Sequence, residues 1–155
     1  MSVKPTTSLK PRYATPRNLA RPTDGAKEAR IAEALGTPFL PWQRMVSDVF
    51  GEIDPDTGTY YYDTLVLTVQ RQAGKTTRER ATETRNALWG PNRRVWYLAQ
   101  TGKEASQQFR EYITGFDKSP LAPLAASKRM SNGSMCLTLK NGSTIQPGGT
   151  TDSGG

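Results

Sequence analysis

The chain has 155 residues, 35% of them hydrophobic, with 21 Lys/Arg against 14 Asp/Glu and a formal net charge of +7. A single cysteine, Cys136, and the absence of histidine exclude an internal disulfide, a cysteine-cluster metal site and histidine general-base catalysis. No run reaches the roughly 18 apolar residues that span a bilayer, and the N-terminus lacks an apolar signal-peptide core, so the expectation is a soluble, intracellular, non-secreted protein with no membrane partner.

The length favours one domain, and the charge falls in blocks. Residues 1–40 carry seven Lys/Arg against three acids, 41–63 carry one Arg against five acids, and 64–112 carry nine against four. A basic balance favours a polyanionic partner, although a solvated surface with a disordered tail accounts for the charge equally well.

Residues 1–25 hold Pro5, Pro11, Pro16 and Pro22 near basic residues and little to bury, which predicts a flexible basic arm. Lys27 to Leu35 reads as a short helix ended by Gly36. In "FLPWQRMVSDVF", Pro41 suits a first helical turn, and Trp42, Met45, Val46, Val49 and Phe50 recur at helical spacing. "DPDTG" at 54–58 is turn chemistry; it lacks the Glu at position twelve that a calcium loop requires.

Leu65 to Val69 is apolar but for Thr68 and rich in β-branched residues, which predicts a strand covered on both faces. Residues 76–89 contain no Gly or Pro and read as a helix, broken by "GPNRR". "VWYLA" at 95–99 predicts a second strand. "TGKE" at 101–104 then fits a capping box, with Thr101 as cap and Glu104 reaching back, ahead of a helix that aligns Ala105, Phe109, Tyr112, Ile113 and Phe116. This alternation predicts a parallel α/β sheet with right-handed crossovers. Met135, Leu137 and Leu139 alternate before Asn141-Gly142 and Thr144-Ile145, a pattern that predicts a β-hairpin with a two-residue turn at positive φ.

Between the first strand and its helix stands Gly74-Lys75-Thr76. A tight strand-to-helix turn aims successive N–H groups at one point, where the helix N-terminus adds partial positive charge. Gly74 would admit a phosphate without a Cβ in the way, Lys75 would place an ammonium on the β- and γ-phosphates, and the Thr76 hydroxyl would join the shell of a Mg²⁺ ion. The tripeptide alone is weak; its strand–helix context is what strengthens it. Arg71 lies three positions before Gly74, where it would touch a γ-phosphate or couple the loop to a neighbour, or else be an ordinary exposed strand-end arginine.

Three segments occur in order: "FLPWQ", "TLVLTVQRQAGKTT" and "VWYLAQTGKEA". Together they resemble the N-terminal ATPase part of the large terminase subunit of tailed bacteriophages, particularly phages of actinobacteria. That family writes its phosphate loop Arg-x-x-Gly-Lys-Ser/Thr, matched here by Arg71-Gln72-Ala73-Gly74-Lys75-Thr76, with Ala73 where the family often has Asn. The resemblance spans about 36–155. It implies a partial P-loop NTPase (ASCE/RecA-like) in residues 26–155 behind the arm of 1–25. It also implies ATP and Mg²⁺ as cofactors, catalytic roles for Lys75 and Arg71, and nucleotide contacts from Arg71 through Thr77. Gln43 matches the family's adenine-recognising glutamine, and "LAQT" at 98–101 a helicase-like segment beside the nucleotide.

The implied function is the ATP-binding part of the motor that packages viral DNA into the prohead. It would work in the host cytoplasm on double-stranded DNA, as a homo-oligomeric ring, with the portal protein and the small terminase subunit. The Walker B Asp-Glu pair and the ribonuclease-H-like nuclease carboxylates of the family have no counterpart here, so the resemblance implies a fragment that binds nucleotide and is inactive alone as a hydrolase. Arg78, Arg80, Arg85, Arg93 and Arg94 read as solvated surface, with service to DNA or a neighbouring subunit as the alternative. Two further readings stay open: another helicase-like P-loop ATPase acting on nucleic acid, or a small basic nucleic-acid-binding protein without nucleotide chemistry.

Overall fold

The computed structural model describes residues 10–149. They form helices α1 (Gly25–Ala34), α2 (Pro41–Phe50), α3 (Lys75–Leu88) and α4 (Gly102–Asp117), and strands β1 (Arg94–Ala99), β2 (Ala125–Arg129), β3 (Cys136–Leu139) and β4 (Thr144–Gly149). The strands lie in the order β1-β4-β3-β2. β1 runs parallel to β4, and the two remaining pairs are antiparallel, so this is a mixed α/β sheet and not a parallel one.

The core sits on one face of that sheet. Helix α4 is amphipathic at the 3.6-residue period and buries Phe109, Tyr112, Ile113 and Phe116 against Met135, Leu137, Leu139 and Ile145, with Ala87 of α3 closing the end. Leu137 and Ile145 are cross-strand partners, so the alternation legible in the hairpin sequence points one set of side chains inward. Each fully buried side chain of this size contributes about 2–3 kcal/mol relative to exposure. The helix begins with half of the expected capping box, the Thr101 hydroxyl accepting from the Glu104 N–H at 3.2 Å. On β1 the burial alternates: Trp96 and Leu98 are 56% and 61% exposed on the face away from α4.

Further expectations change. Residues 64–70 are extended but pair with no strand among the described residues, and Val66 is 86% exposed. The β-branched run sets the local conformation, but no neighbouring strand covers it. The hairpin turn is centred on Lys140 and Asn141, closed by Gly142 N–H to Leu139 O (2.9 Å) and Leu139 N–H to Ser143 O (2.8 Å). Within that turn only Gly142 takes positive φ (83°), as in a turn followed by a left-handed residue. The Asn141 Oδ1 accepts from the Ser143 N–H within the turn at 3.0 Å, while its Nδ2 reaches outside, donating to Ala87 O and Gly90 O at the end of α3.

Part of the expected arm is tied down. Residues 1–9 lie outside the described residues and 10–16 are exposed, but 17–24 are docked. Glu52 is fully buried and accepts from the Asn18 N–H at 2.8 Å, while Arg17 and Arg21 pair with it at 3.1 and 3.0 Å. A buried carboxylate recruits the arm because leaving it unpaired would cost several kcal/mol. Strand β2 was not legible: "AASKR" is mostly exposed and carries no alternation.

Candidate functional site

The candidate site is the turn between the extended segment and α3. Gln72 has φ 59° and Gly74 has φ 94°, so the backbone passes twice through the left-handed region within three residues. For Gln72 that conformation costs roughly 1 kcal/mol. Helix α3 starts at Lys75 with Gly74 as N-cap and has no acidic side chain in its first turn. Among the described residues, the N–H groups of Gly74, Lys75, Thr76 and Thr77 have no acceptor. They are the unpaired donors that every helix start leaves, here reinforced by the positive end of the helix dipole.

Gln43 is the side chain most tightly built into this turn. It is 1% exposed. Its Nε2 donates to Gly74 O at 2.7 Å and its Oε1 accepts from the Leu40 N–H at 2.6 Å. A Cβ at position 74 would stand 2.8 Å from Gln43 Nε2, so a side chain there would displace the Gln43 amide as well as strain the positive φ. Gln43 is the third residue of α2, where a glutamine reaches back to the N-cap amide. The Pro41–Gln43 spacing carried that signal. The bond to Gly74, 31 residues away, had none.

The structure brings Arg71, Gln72, Ala73, Gly74, Lys75, Thr76 and Thr77 into one short turn, with Arg71 exposed. Lys75 is exposed, and its Nζ lies 3.6 Å from Glu79 one turn along α3. Thr76 faces α4 and β1, near Arg80, Tyr97 and Gln108. Ala99, at the end of β1, is followed by Gln100 and by Thr101, the N-cap of α4.

Beside the turn, an open groove of about 550 Å³ runs between the extended segment and α3. Leu65, Val66 and Leu67 line one wall; Lys75, Arg78, Glu79 and Glu83 line the other. Burial, with Glu79 adding to it and Arg80 opposing it, pushes the Glu83 carboxyl up to about 8. Arg78 is only 2% exposed and its Nη2 is 3.6 Å from Glu28, yet neither its Nε nor its Nη2 makes a hydrogen bond among the described residues. Burial lowers its pKa.

Arg78 and Arg85 are therefore not solvated helix face. Arg85 is buried and pairs with Glu28 at 2.9 Å and Asp24 at 3.3 Å, while the Tyr60 hydroxyl also bonds Asp24. Arg80 is tied to Glu111 and Gln108 of α4, each at 3.1 Å. No helix among the described residues is long and apolar enough to cross a membrane. Set against protein-family models, curated proteins and solved structures, the chain has no match.

Proposed function

We propose that residues 71–77 bind the triphosphate of ATP together with Mg²⁺, and that the chain is the nucleotide-binding part of a terminase-like, DNA-packaging ATPase. One observation carries the reading: a left-handed Gly74 opens α3 beneath four N–H groups unpartnered among the described residues, with an exposed lysine as the first helical residue. That arrangement suits a polyanion, because backbone donors and helix dipole converge on it. A side chain at Gly74 would press on Gln43 Nε2, which holds the turn in place.

In this reading the Lys75 ammonium leaves Glu79 for the phosphates, the Thr76 hydroxyl holds Mg²⁺, and Arg71 reaches the terminal phosphate. Bound Mg²⁺ would neutralise phosphate charge; Lys75 and Arg71 add to that from the protein. Double-stranded DNA, the portal protein, the small terminase subunit and a ring of like subunits are the partners that belong to this proposal.

The test is Mg-ATP titration of the wild-type chain and of Lys75→Ala. We expect affinity in the millimolar range or tighter, and a loss of at least about tenfold in the variant, the value of one charge-assisted contact. Lys75 sits at the end of α3 where the dipole disfavours a cation, so the substitution should leave thermal stability unchanged or slightly raised. Absence of ATP affinity in wild type at millimolar concentration would overturn the reading. Salt-dependent DNA binding indifferent to Lys75→Ala would then mark a basic nucleic-acid-binding protein instead.

A further inference from the structure

We infer that Gln43 is the positioning residue of the phosphate loop, holding the Gly74–Lys75 peptide in the orientation that presents a donor to the phosphates, and does not read the base. This rests on the phosphate reading of residues 71–77 and adds to it the element that fixes their geometry.

The chemistry follows from one peptide plane. In a trans peptide the C=O of Gly74 and the N–H of Lys75 point in opposite directions. Gly74 O accepts from Gln43 Nε2 at 2.7 Å and from the Arg78 N–H at 3.3 Å, so that carbonyl is held inward from two sides. The Lys75 N–H is thereby turned outward. An N–H donor fixed before the ligand arrives needs no reorganisation when the ligand binds.

Gln43 suits this task because both ends of its amide are occupied. Its Oε1 is anchored by the Leu40 N–H, which fixes the rotation of the amide and aims Nε2 at Gly74. At 1% exposure it has no free edge to offer a purine. The start of α2, with Pro41 in its first turn, is thus hard-wired to the start of α3.

Gln43→Glu separates the two bonds. A carboxylate still accepts from the Leu40 N–H, so the start of α2 is preserved, but it cannot donate to Gly74 O. Gln43→Met, which removes both bonds at similar volume, is the second variant should a buried carboxylate impair folding. ATP, GTP and inorganic tripolyphosphate, each with Mg²⁺, are titrated into wild type and variants at about pH 8 and about pH 5, either side of the range in which a buried carboxyl titrates.

All three ligands should weaken together, by about tenfold, in Gln43→Glu at the higher pH. Lowering the pH protonates the introduced carboxylate, restores an O–H donor toward Gly74 O, and should bring the variant back toward wild type at the same pH. Gln43→Met should show the same loss with no acid rescue. A loss confined to ATP would show base recognition and overturn the inference, as would folded variants with unchanged affinity for all three. The Gly74 carbonyl ¹³C resonance, measured without ligand, reads the bond independently. It should shift in Gln43→Met, and an unmoved resonance would sink the tether even if wild type binds no triphosphate. Failure of wild type to bind any of the three ligands would sink only the phosphate reading.

Discussion

The two sides of helix α3 are built on opposite terms. On the side facing α1 the buried charges answer one another: Arg85 meets Asp24 and Glu28, and the Thr82 hydroxyl donates to Glu28 as well. On the side facing the groove, among the described residues, Glu83 is held partly buried with no cation in contact, and the extended segment opposite leaves its backbone unpaired. One side is an interior of paired charges, short only of bonds to Arg78 Nε and Nη2 among the described residues; the other is a surface on which charge and backbone are left available. Helix α3 has the sequence "KTTRERATETRNAL", polar nearly throughout, so the difference comes from what each side meets and not from the helix itself.

The paired side should break most dramatically. Arg85→Met leaves Asp24 buried without its cation and Glu28 with only Arg78 at 3.6 Å, which should cost about 3–5 kcal/mol. Against a total stability of about 5–15 kcal/mol, this would lower the urea midpoint severely or prevent folding. Replacing Asp24, Glu28, Arg78 and Arg85 together by apolar residues of similar volume should recover most of that loss, because Arg78 also loses its carboxylate when Glu28 goes. A single substitution with no effect on the midpoint would mean that water already serves these carboxylates.

Stability against pH sharpens the contrast, because a buried acid with partners and one without titrate in opposite senses. Glu52, just past the end of α2, is pushed up by burial, but its bonds to Asn18, Arg21 and Arg17 outweigh this and lower its pKa. Its stabilisation is present above the ordinary carboxylate value and is lost as pH falls through the lowered one. Glu83 is raised to about 8. Between the ordinary value and about 8, the folded chain keeps a proton that the unfolded chain has released, so stability falls as pH rises through that window. Glu83→Gln should remove this slope and stabilise the chain by about 2 kcal/mol above about pH 8, less than the full linkage value because the side chain is only partly buried. Denaturant midpoints between about pH 5 and about pH 9, which bracket that window, would show it. Parallel curves for wild type and variant would contradict the assignment.

The helices and the hairpin were legible because local chemistry determines them. Apolar spacing located α4 and Pro41 started α2, while Thr101 supplied a cap. Residues 65–69 misled for a physical reason: β-branched residues favour extended backbone, but a strand also needs a neighbour, and pairing is not written into the segment that seeks it. β2 is the mirror case, a strand made by its partner β3 from a sequence without strand character. The loop 71–76 was legible as a motif. Its support was not, since Gln43 joins it from 31 residues away, and the resemblance marked that glutamine for adenine recognition and not for a bond to the loop. Nor could sequence separate the buried Arg78 and Arg85 from the exposed arginines, because only the fold brings Asp24 and Glu28 to them.

The smallest expected effect lies where the open side meets the loop. Lys75 and Glu79 form an exposed i,i+4 pair, with the lysine toward the helix N-terminus, the weaker order for such a pair and the wrong end for the dipole. An interaction of that kind is worth only about 0.3–0.5 kcal/mol, so Glu79 restrains Lys75 without locking it. If Lys75 must turn toward phosphate, Glu79→Gln should tighten ATP about twofold at low ionic strength. At high salt, where exposed pairs are already screened, the difference should vanish. Weaker ATP binding in Glu79→Gln would assign Glu79 to the ligand's side of the equilibrium, as a carboxylate that helps to hold Mg²⁺. The open side of α3 would then contribute an acid to the site as well as the space beside it.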